Sequence, residues 1–466
     1  MTIASINPAT NELVRSYTEF TPGETSAAVE QAADAWTRWR MTTFTDRAAL
    51  MKRAASILRE RRDELARLMA TEMGKPLKQG FAEADKCAWV CDYYADNAES
   101  QLADQVVETD ALKSYVAFEP LGVVLAVMPW NFPLWQVYRF AAPALMAGNV
   151  GLLKHASNVP GCAMAIEEIF TQAGFPRGTF RTLLVGSGQV DAVIANAHVR
   201  AVTLTGSTPA GKAVASKAGS VLKKTVLELG GSDPYVILDD ADMEQAVKTC
   251  VASRLINNGQ SCIAAKRFIV MASVLEQFTN RFVALMKTKK LGDAFAEGTD
   301  VGPMARPDLR DDLHRQVVAS VERGATLLLG GQVPPGAGAY YPPTVLGNVL
   351  PGMPVYDEET FGPVAAIIRA SDEDDAVRIA NDTIFGLGSA VFTRDMARGD
   401  RVARRLAAGS AFVNSAVASD PRLPFGGIKE SGYGRELGSY GIKEFVNVKT
   451  VYAMNAGASD AAPVAE

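Results

Sequence analysis

From about residue 115 to about residue 415 the chain alternates short apolar, β-branched runs with segments of helical periodicity. Such alternation commits a chain to parallel strands joined by helical crossovers, because parallel neighbours cannot be linked by a tight turn. The first series reads YVAFE, GVVLAVM, VGLLKH, RTLLVG, AVTLTG and KTVLELG and ends near residue 230. A second begins at PYVILDD and continues through KRFIVM, ATLLLGG, AAIIRA, SAVFT and SAFVNS. Two α/β lobes are expected, each keeping its functional residues at the carboxyl ends of its strands. A length of 466 residues agrees, since it exceeds what one core usually supports.

Residues 24 to 105 read as helices. AAVEQAADAWTRW is the first, DRAALMKRAASILRERRDELARLMATEMG the second, and a third starts near Lys78. The strand-like end, EFVNVKTVYAM at 444–454, fits neither lobe and is expected to pair with YVAFE as a projecting β-arm between subunits. The tail from 456 to 466 reads as disordered.

A net charge of −5 without a basic block argues against nucleic acid or anionic membrane as partner. No run approaches the roughly 18 apolar residues of a membrane span and no secretory leader is visible, so a cytoplasmic protein is expected. Five cysteines without a CxxC pair disfavour disulfides and zinc, and three scattered histidines disfavour a metal site or a Ser-His-Asp triad.

The stretch NNGQSC ends in Cys262, preceded by polar residues and glycine rather than by the apolar run usual for a buried structural cysteine. A presented thiol is expected there, its pKa lowered by backbone N–H groups or a helix terminus. In ELGGSDP, Glu228 stands at a strand end and suits a general base, or an ordinary acidic turn residue. In PWNFP, two prolines flank Trp130 and Asn131 and limit where the Asn amide can point, either toward an oxyanion or into its own turn. Arg139 lies in the apolar run after PWNFP, four residues beyond Trp135 and eight beyond Asn131, on roughly one helical face. Eight residues rise about 12 Å, of which an Arg side chain covers roughly half, leaving room for a short chain with an aldehyde at one end and a carboxylate at the other. Pairing with an internal acid is the equally open reading. In TGSTPAG, Gly206 and the following helix N-terminus could receive a pyrophosphate or form a plain turn.

Taken in order, PWNFP, LLKHASN, TGS, ELGGSDP, NNGQSC, EETFGP and PFGGIKESGYGRE resemble the aldehyde dehydrogenase superfamily from about residue 5 to 454. Within it the chain is most similar to bacterial NAD(P)-dependent succinate-semialdehyde dehydrogenases. The resemblance implies an α/β fold with a Rossmann-type dinucleotide-binding lobe over 1–110 and 123–230 and a catalytic lobe over 231–430. It also implies an oligomerisation arm over 111–122 and 440–455 that builds a homodimer or homotetramer. By position, Cys262 matches the nucleophile, Asn131 and the Cys262 N–H the oxyanion donors, and Glu228 the base. Glu359 and Phe361 match residues at the nicotinamide ribose and ring, and Lys154, Trp130 and Ser207 the adenosine and phosphate side. Arg139 and Ser419 match positions that hold a substrate carboxylate, with Trp135 beside them. The implied chemistry is thiolate attack on the aldehyde, hydride transfer to NADP or NAD, and hydrolysis of the thioester.

Three positions depart from the pattern of particular relatives. Ser157 stands where many NAD-preferring relatives carry a ribose-binding Glu, so NADP is expected to be accepted, with preference over NAD left open. Ile256 stands where some semialdehyde-specific relatives carry a second Arg, which leaves the carboxylate to Arg139, Ser419 or Arg422. Ala264 removes the partner cysteine of a disulfide switch. Glutarate semialdehyde or a neutral aldehyde is the neighbouring reading; a non-redox cysteine acyl-transfer enzyme or an inactive structural relative is the reading from another class.

Overall fold

The computed structural model describes residues 2–456, so the tail expected to be disordered lies, beyond residue 456, outside the described residues. Four helices precede the first sheet: Pro22–Trp39, Phe44–Glu60, Arg62–Met73 and Leu77–Gln101. Thr21 and Thr43 start the first two with capping boxes completed by Glu24 and Asp46. The single long helix expected up to Gly74 is two, broken at Arg61 (φ −91°, ψ 12°) and ended by Gly74 in the left-handed region at φ 74°. A hairpin, Thr2–Asn7 against Glu12–Thr18, precedes them; its second strand is exposed almost throughout and so carries no apolar period to read.

The first sheet runs Gly432–Tyr433, Lys224–Glu228, Val199–Thr205, Val123–Met128, Val150–His155, Phe180–Thr182. Its strands are parallel except the short antiparallel edge Gly432–Tyr433, by which a late segment returns to this lobe. Val123–Met128 is central and buried on both faces, which explains its unbroken apolar run. The chain winds one way from it to Val150–His155 and the other way to Val199–Thr205, so a crevice opens beyond the carboxyl ends of Val123–Met128 and Val199–Thr205. Trp130 and Asn131 follow the first of these strands, and Gly206 and Ser207 follow the second.

The second sheet has seven strands in the order Thr326–Leu329, Thr344–Gly347, Val364–Ala370, Arg267–Met271, Pro234–Ile237, Gly388–Phe392, Ser410–Val413, of which only the first runs antiparallel. Separate apolar clusters cover its two faces. Thr344–Gly347 has no counterpart in the sequence reading, because four residues between prolines and a glycine are too few to show a period.

YVAFE, counted with the first series, lies outside that sheet. Lys113–Pro120 pairs antiparallel with Val446–Ala453 along its whole length, and Gln105–Val106 adds a third strand. Val106, Val448 and Tyr452 on this small sheet are exposed. No helix among the described residues is long and apolar enough to cross a membrane.

Candidate active site

The helix Met243–Leu255 runs into one 3-10 turn, Ile256–Gly259, before the chain crosses to Arg267–Met271. Asn257, Asn258 and Gly259 all take left-handed backbone, at φ 52°, 58° and 77°. Asn and Gly are the residues that tolerate this region, which accounts for the NNG run. Asn257 Nδ2 donates to the carbonyls of Asn131 (2.6 Å) and Gln260 (3.0 Å). Asn258 Nδ2 donates to the carbonyls of Gly74 (2.8 Å) and Pro303 (3.0 Å), while its Oδ1 accepts from Gly302 N (2.7 Å). Gln260 Oε1 accepts from Ala305 N at 2.9 Å. A Cβ on Gly259 would stand 2.3 Å from the Gly362 carbonyl. The polar lead-in to the thiol therefore lashes its loop to both lobes.

Cys262 follows in the turn, half-buried. Burial pushes its thiol up to about 12, with Lys266 and Arg139 pulling the other way. The lowered pKa expected from the sequence is thus corrected: loss of solvation outweighs both cations in the protein alone. Attack by this sulfur requires a base or a further positive charge nearby.

Asn131 is buried, and its Nδ2 donates to Gln260 O at 3.2 Å, two residues from the sulfur-bearing position. Its Oδ1 has no protein partner. The ring of Trp130 meets Phe361 edge-on, with centroids 5.7 Å apart, joining the two lobes across the crevice. Glu359 Oε1 accepts from Gly231 N (3.0 Å) and pairs with Lys266 Nζ (3.2 Å), which also donates to the carbonyls of Cys262 (2.7 Å) and Ser261 (2.9 Å). The two glycines of ELGGSDP permit this packing: a Cβ on Gly230 would lie 2.5 Å from Glu359 Oε2, and one on Gly231 would lie 2.7 Å from Cys262 O.

Glu228 ends its strand fully buried, and neither carboxylate oxygen has a protein partner. Burial, reinforced by the charge of Glu436, holds its pKa well above the usual carboxylate range, against the pull of Arg139 and Arg435. Among the described residues no hydrogen bond joins it to Cys262. Its Oε1 sits so close to Gly426 that a Cβ there would be 2.6 Å away.

Cys262, Trp135, Arg139 and Ser419 border one cavity of ≈ 570 Å³. Arg139 lies on the expected face of the helix Trp135–Met146, but its charge is already matched. It forms a buried ion pair with Glu436, donates from Nη2 to Thr205 Oγ1 (3.3 Å) and lies over the Phe425 ring at 4.6 Å. Arg422, the other cation considered, is an exposed partner of Asp420 and does not border the cavity.

On the opposite side of the crevice, Lys154 makes no hydrogen bond or ion pair among the described residues, and burial lowers its pKa. Ser157 is exposed three residues on. An unpartnered, half-buried ammonium followed by a free hydroxyl suits a phosphate. Ser207 caps the helix Thr208–Ser220, its Oγ accepting from Ala210 N at 3.5 Å. The Gly206 N–H is spent on Glu228 O (2.9 Å), so this amide does not serve a pyrophosphate as expected.

The aldehyde dehydrogenase family model matches residues 1–451. The chain belongs to the aldehyde dehydrogenase family. It is 52% identical over 452 residues to a probable NADP+-linked succinate-semialdehyde dehydrogenase of Synechocystis sp., covering 97% of this chain and 100% of that one. It is 50% identical to an NADP+-linked succinate-semialdehyde dehydrogenase of Mycobacterium avium, over 99% of this chain and 98% of the relative. Among solved structures, the succinic semialdehyde dehydrogenase of Streptococcus pyogenes in complex with NADP+ superposes with a TM-score of 0.95 at 39% identity, covering 97% and 100% of the two chains. The betaine aldehyde dehydrogenase of Staphylococcus aureus in complex with NAD+ gives 0.94 at 31%, covering 98% and 93%.

In this aldehyde dehydrogenase the sequence reading passed over three residues that the fold brings to the site. Glu436 is in the quoted motif PFGGIKESGYGRE, yet nothing local marks it as the partner of Arg139. Glu83 accepts from the N–H groups of Leu134 and Trp135, both at 2.9 Å, and so anchors the start of the helix carrying Trp135 and Arg139. Lys86, one turn further along Leu77–Gln101, donates to Ser419 Oγ at 2.8 Å. The available signal was a Glu and a Lys spaced i, i+3 beside the apolar stripe Ala84, Cys87, Ala88 and Cys91.

Proposed function

We propose that this aldehyde dehydrogenase oxidises succinate semialdehyde to succinate, with NADP preferred over NAD. The observation that carries the reading is the single cavity that joins the Cys262 thiol to a wall of cations and the Ser419 hydroxyl, a fit for an aldehyde with an anionic far end. Two relatives of about half identity over nearly the whole chain are named for the same substrate and NADP.

Cys262 Sγ attacks the aldehyde carbon as its thiol proton passes to solvent water, a loss that Lys266 and Arg139 favour against the effect of burial. Asn131 Nδ2 and the Cys262 N–H hold the resulting alkoxide. A nicotinamide held by Glu359 and Phe361 would supply the hydride acceptor through which the adduct on Cys262 becomes a thioester. Glu228, with both oxygens free of protein partners, takes the proton of the water that cleaves the thioester. Its raised pKa makes the carboxylate, once ionised, a stronger base than one in water.

Lys154 and Ser157 would hold the 2′-phosphate of NADP, Trp130 and Ser207 would flank the adenosine and phosphates, and Glu359 and Phe361 would hold the nicotinamide end. The exposed three-stranded arm would pair subunits into a homodimer or homotetramer. A reactive thiol suits the reducing cytoplasm.

The test is the initial rate of nicotinamide reduction with succinate semialdehyde, run in parallel with NADP and NAD. Reduction favouring NADP is expected. Absence of reduction with both cofactors would overturn the substrate assignment.

A further inference from the structure

The charge that a substrate carboxylate needs is not supplied by the residue that sequence position suggests. Four cations border the cavity: Lys78, Lys86, Arg139 and Lys289. Arg139 is neutralised by buried Glu436, and Lys289 stands 3.8 Å from Asp300. Lys78 is exposed to solvent. Lys86 pairs with no carboxylate among the described residues. Its Nζ donates to the neutral Ser419 hydroxyl at 2.8 Å and lies 4.3 Å from the centre of the Trp135 ring. Ser419 is itself buried.

We propose that Lys86 is the specificity-determining cation of the substrate cavity, and that Lys86 Nζ with the Ser419 hydroxyl holds the carboxylate end of a dicarboxylic semialdehyde. A partly dehydrated ammonium satisfied by a hydroxyl and an aromatic face retains capacity for an anion: it keeps N–H donors beyond the one given to Ser419, and Ser419 can turn its own O–H to the incoming oxygen. The position also fits the helix geometry. Trp135 precedes Arg139 by one turn on the same face, so Lys86 occupies the cavity wall at the level of Trp135, leaving Arg139 and Glu436 as a neutral wall behind. The inference rests on the substrate reading above and assigns the residue that makes the selection.

Burial first, and then the like charge of Arg139, hold the Lys86 ammonium down to about 8, with Cys87, Glu83 and Asp420 pulling the other way. These groups act on it most strongly; Lys78 and Lys289 border the same cavity, and Asp85 adjoins it on the outer side. The lysine is therefore charged at neutral pH and loses its proton within the range in which the enzyme can be assayed.

The experiment compares kcat/KM for succinate semialdehyde with that for butanal, an uncharged aldehyde of equal length, using NADP and the full chain. In the unaltered enzyme the ratio should strongly favour the semialdehyde. Lys86→Met should lower that ratio roughly 30-fold or more, the usual result of removing one member of a buried hydrogen-bonded charge pair, and Lys86→Arg should restore much of it. The loss should appear in KM more than in kcat, because the contact exists in both ground and transition states. A second measurement needs no variant: KM for the semialdehyde should climb above about pH 8 while KM for butanal stays level. A preference unchanged in Lys86→Met, or a semialdehyde KM flat through pH 9, would overturn the role of Lys86. No preference in the unaltered enzyme would instead overturn the substrate reading on which it rests.

Discussion

Arg139, which borders the cavity beside Cys262, forms an ion pair with Glu436, each almost wholly removed from solvent. The pair neutralises the cation that spacing alone aims at the substrate. It also acts on Glu228, whose pKa is raised first by burial and then by Glu436, and moderated by Arg139.

Replacing one member should therefore be a structural injury before it is a change of specificity. Arg139→Met strands a buried carboxylate and should cost roughly 3–5 kcal/mol. Thermal unfolding should show a lower Tm, and rates with charged and uncharged aldehydes should fall together. The double variant Arg139→Met with Glu436→Gln should recover most of the Tm, since the two losses are coupled. A loss confined to the charged aldehyde, with Tm intact, would show that Arg139 binds the carboxylate itself.

Glu228 keeps its proton in the folded chain at pH values where an unfolded glutamate, near about 4.3, has lost it. Folding then takes up a proton, so this residue's contribution to stability weakens as pH rises from the unfolded value toward the folded one. Glu228→Gln should lose about 10²- to 10⁴-fold in turnover. The same variant should melt higher than the unaltered enzyme at pH 8, with the gap closing toward pH 5. An equal or lower Tm at pH 8 would show that folding does not raise the pKa of this carboxylate.

Ser157→Glu places a carboxylate three residues beyond unpartnered Lys154. Like-charge repulsion should raise KM for NADP roughly tenfold while leaving KM for NAD nearly unchanged or lower. Equal losses with both cofactors in parallel rate measurements would remove Ser157 from the phosphate site.

Gly259→Ala would force a methyl group to within 2.3 Å of the Gly362 carbonyl at a backbone angle of φ 77°. Both effects act against folding, and a loss of roughly 2–4 kcal/mol is expected, read as a depressed Tm with activity lost in proportion to folded protein. Asn257→Gly should be milder to the backbone but should impair catalysis, because it removes the bridge from Asn257 Nδ2 to the Asn131 and Gln260 carbonyls and leaves only the direct Asn131–Gln260 bond.

The lobes were legible as alternating strand and helix because that pattern is written over ten to twenty neighbouring residues at a time. The arm was legible too: EFVNVKTVYAM fitted neither series, and Val446–Ala453 is found against Lys113–Pro120. Short or solvent-facing strands such as Thr344–Gly347 and Glu12–Thr18 left no apolar period and escaped. The Asn-Asn-Gly run announced an unusual backbone, since left-handed conformations are a property of single residues and survive in any context.

By itself, then, the amino-acid order determined the alternation of elements, the positions of the turns that place Asn131, Glu228 and Cys262 at strand and helix ends, and the residue types available for chemistry. Only the tertiary structure decided their electrostatics. The partner that cancels Arg139 arrives from the far end of the chain, and the Ser419 hydroxyl that meets Lys86 lies 333 positions away. The direction of the Cys262 shift was likewise set by burial, where the residue packs against the apolar core of the first lobe. Charge pairing and desolvation depend on distance in space, and no local spacing encodes a distance that the whole fold must close.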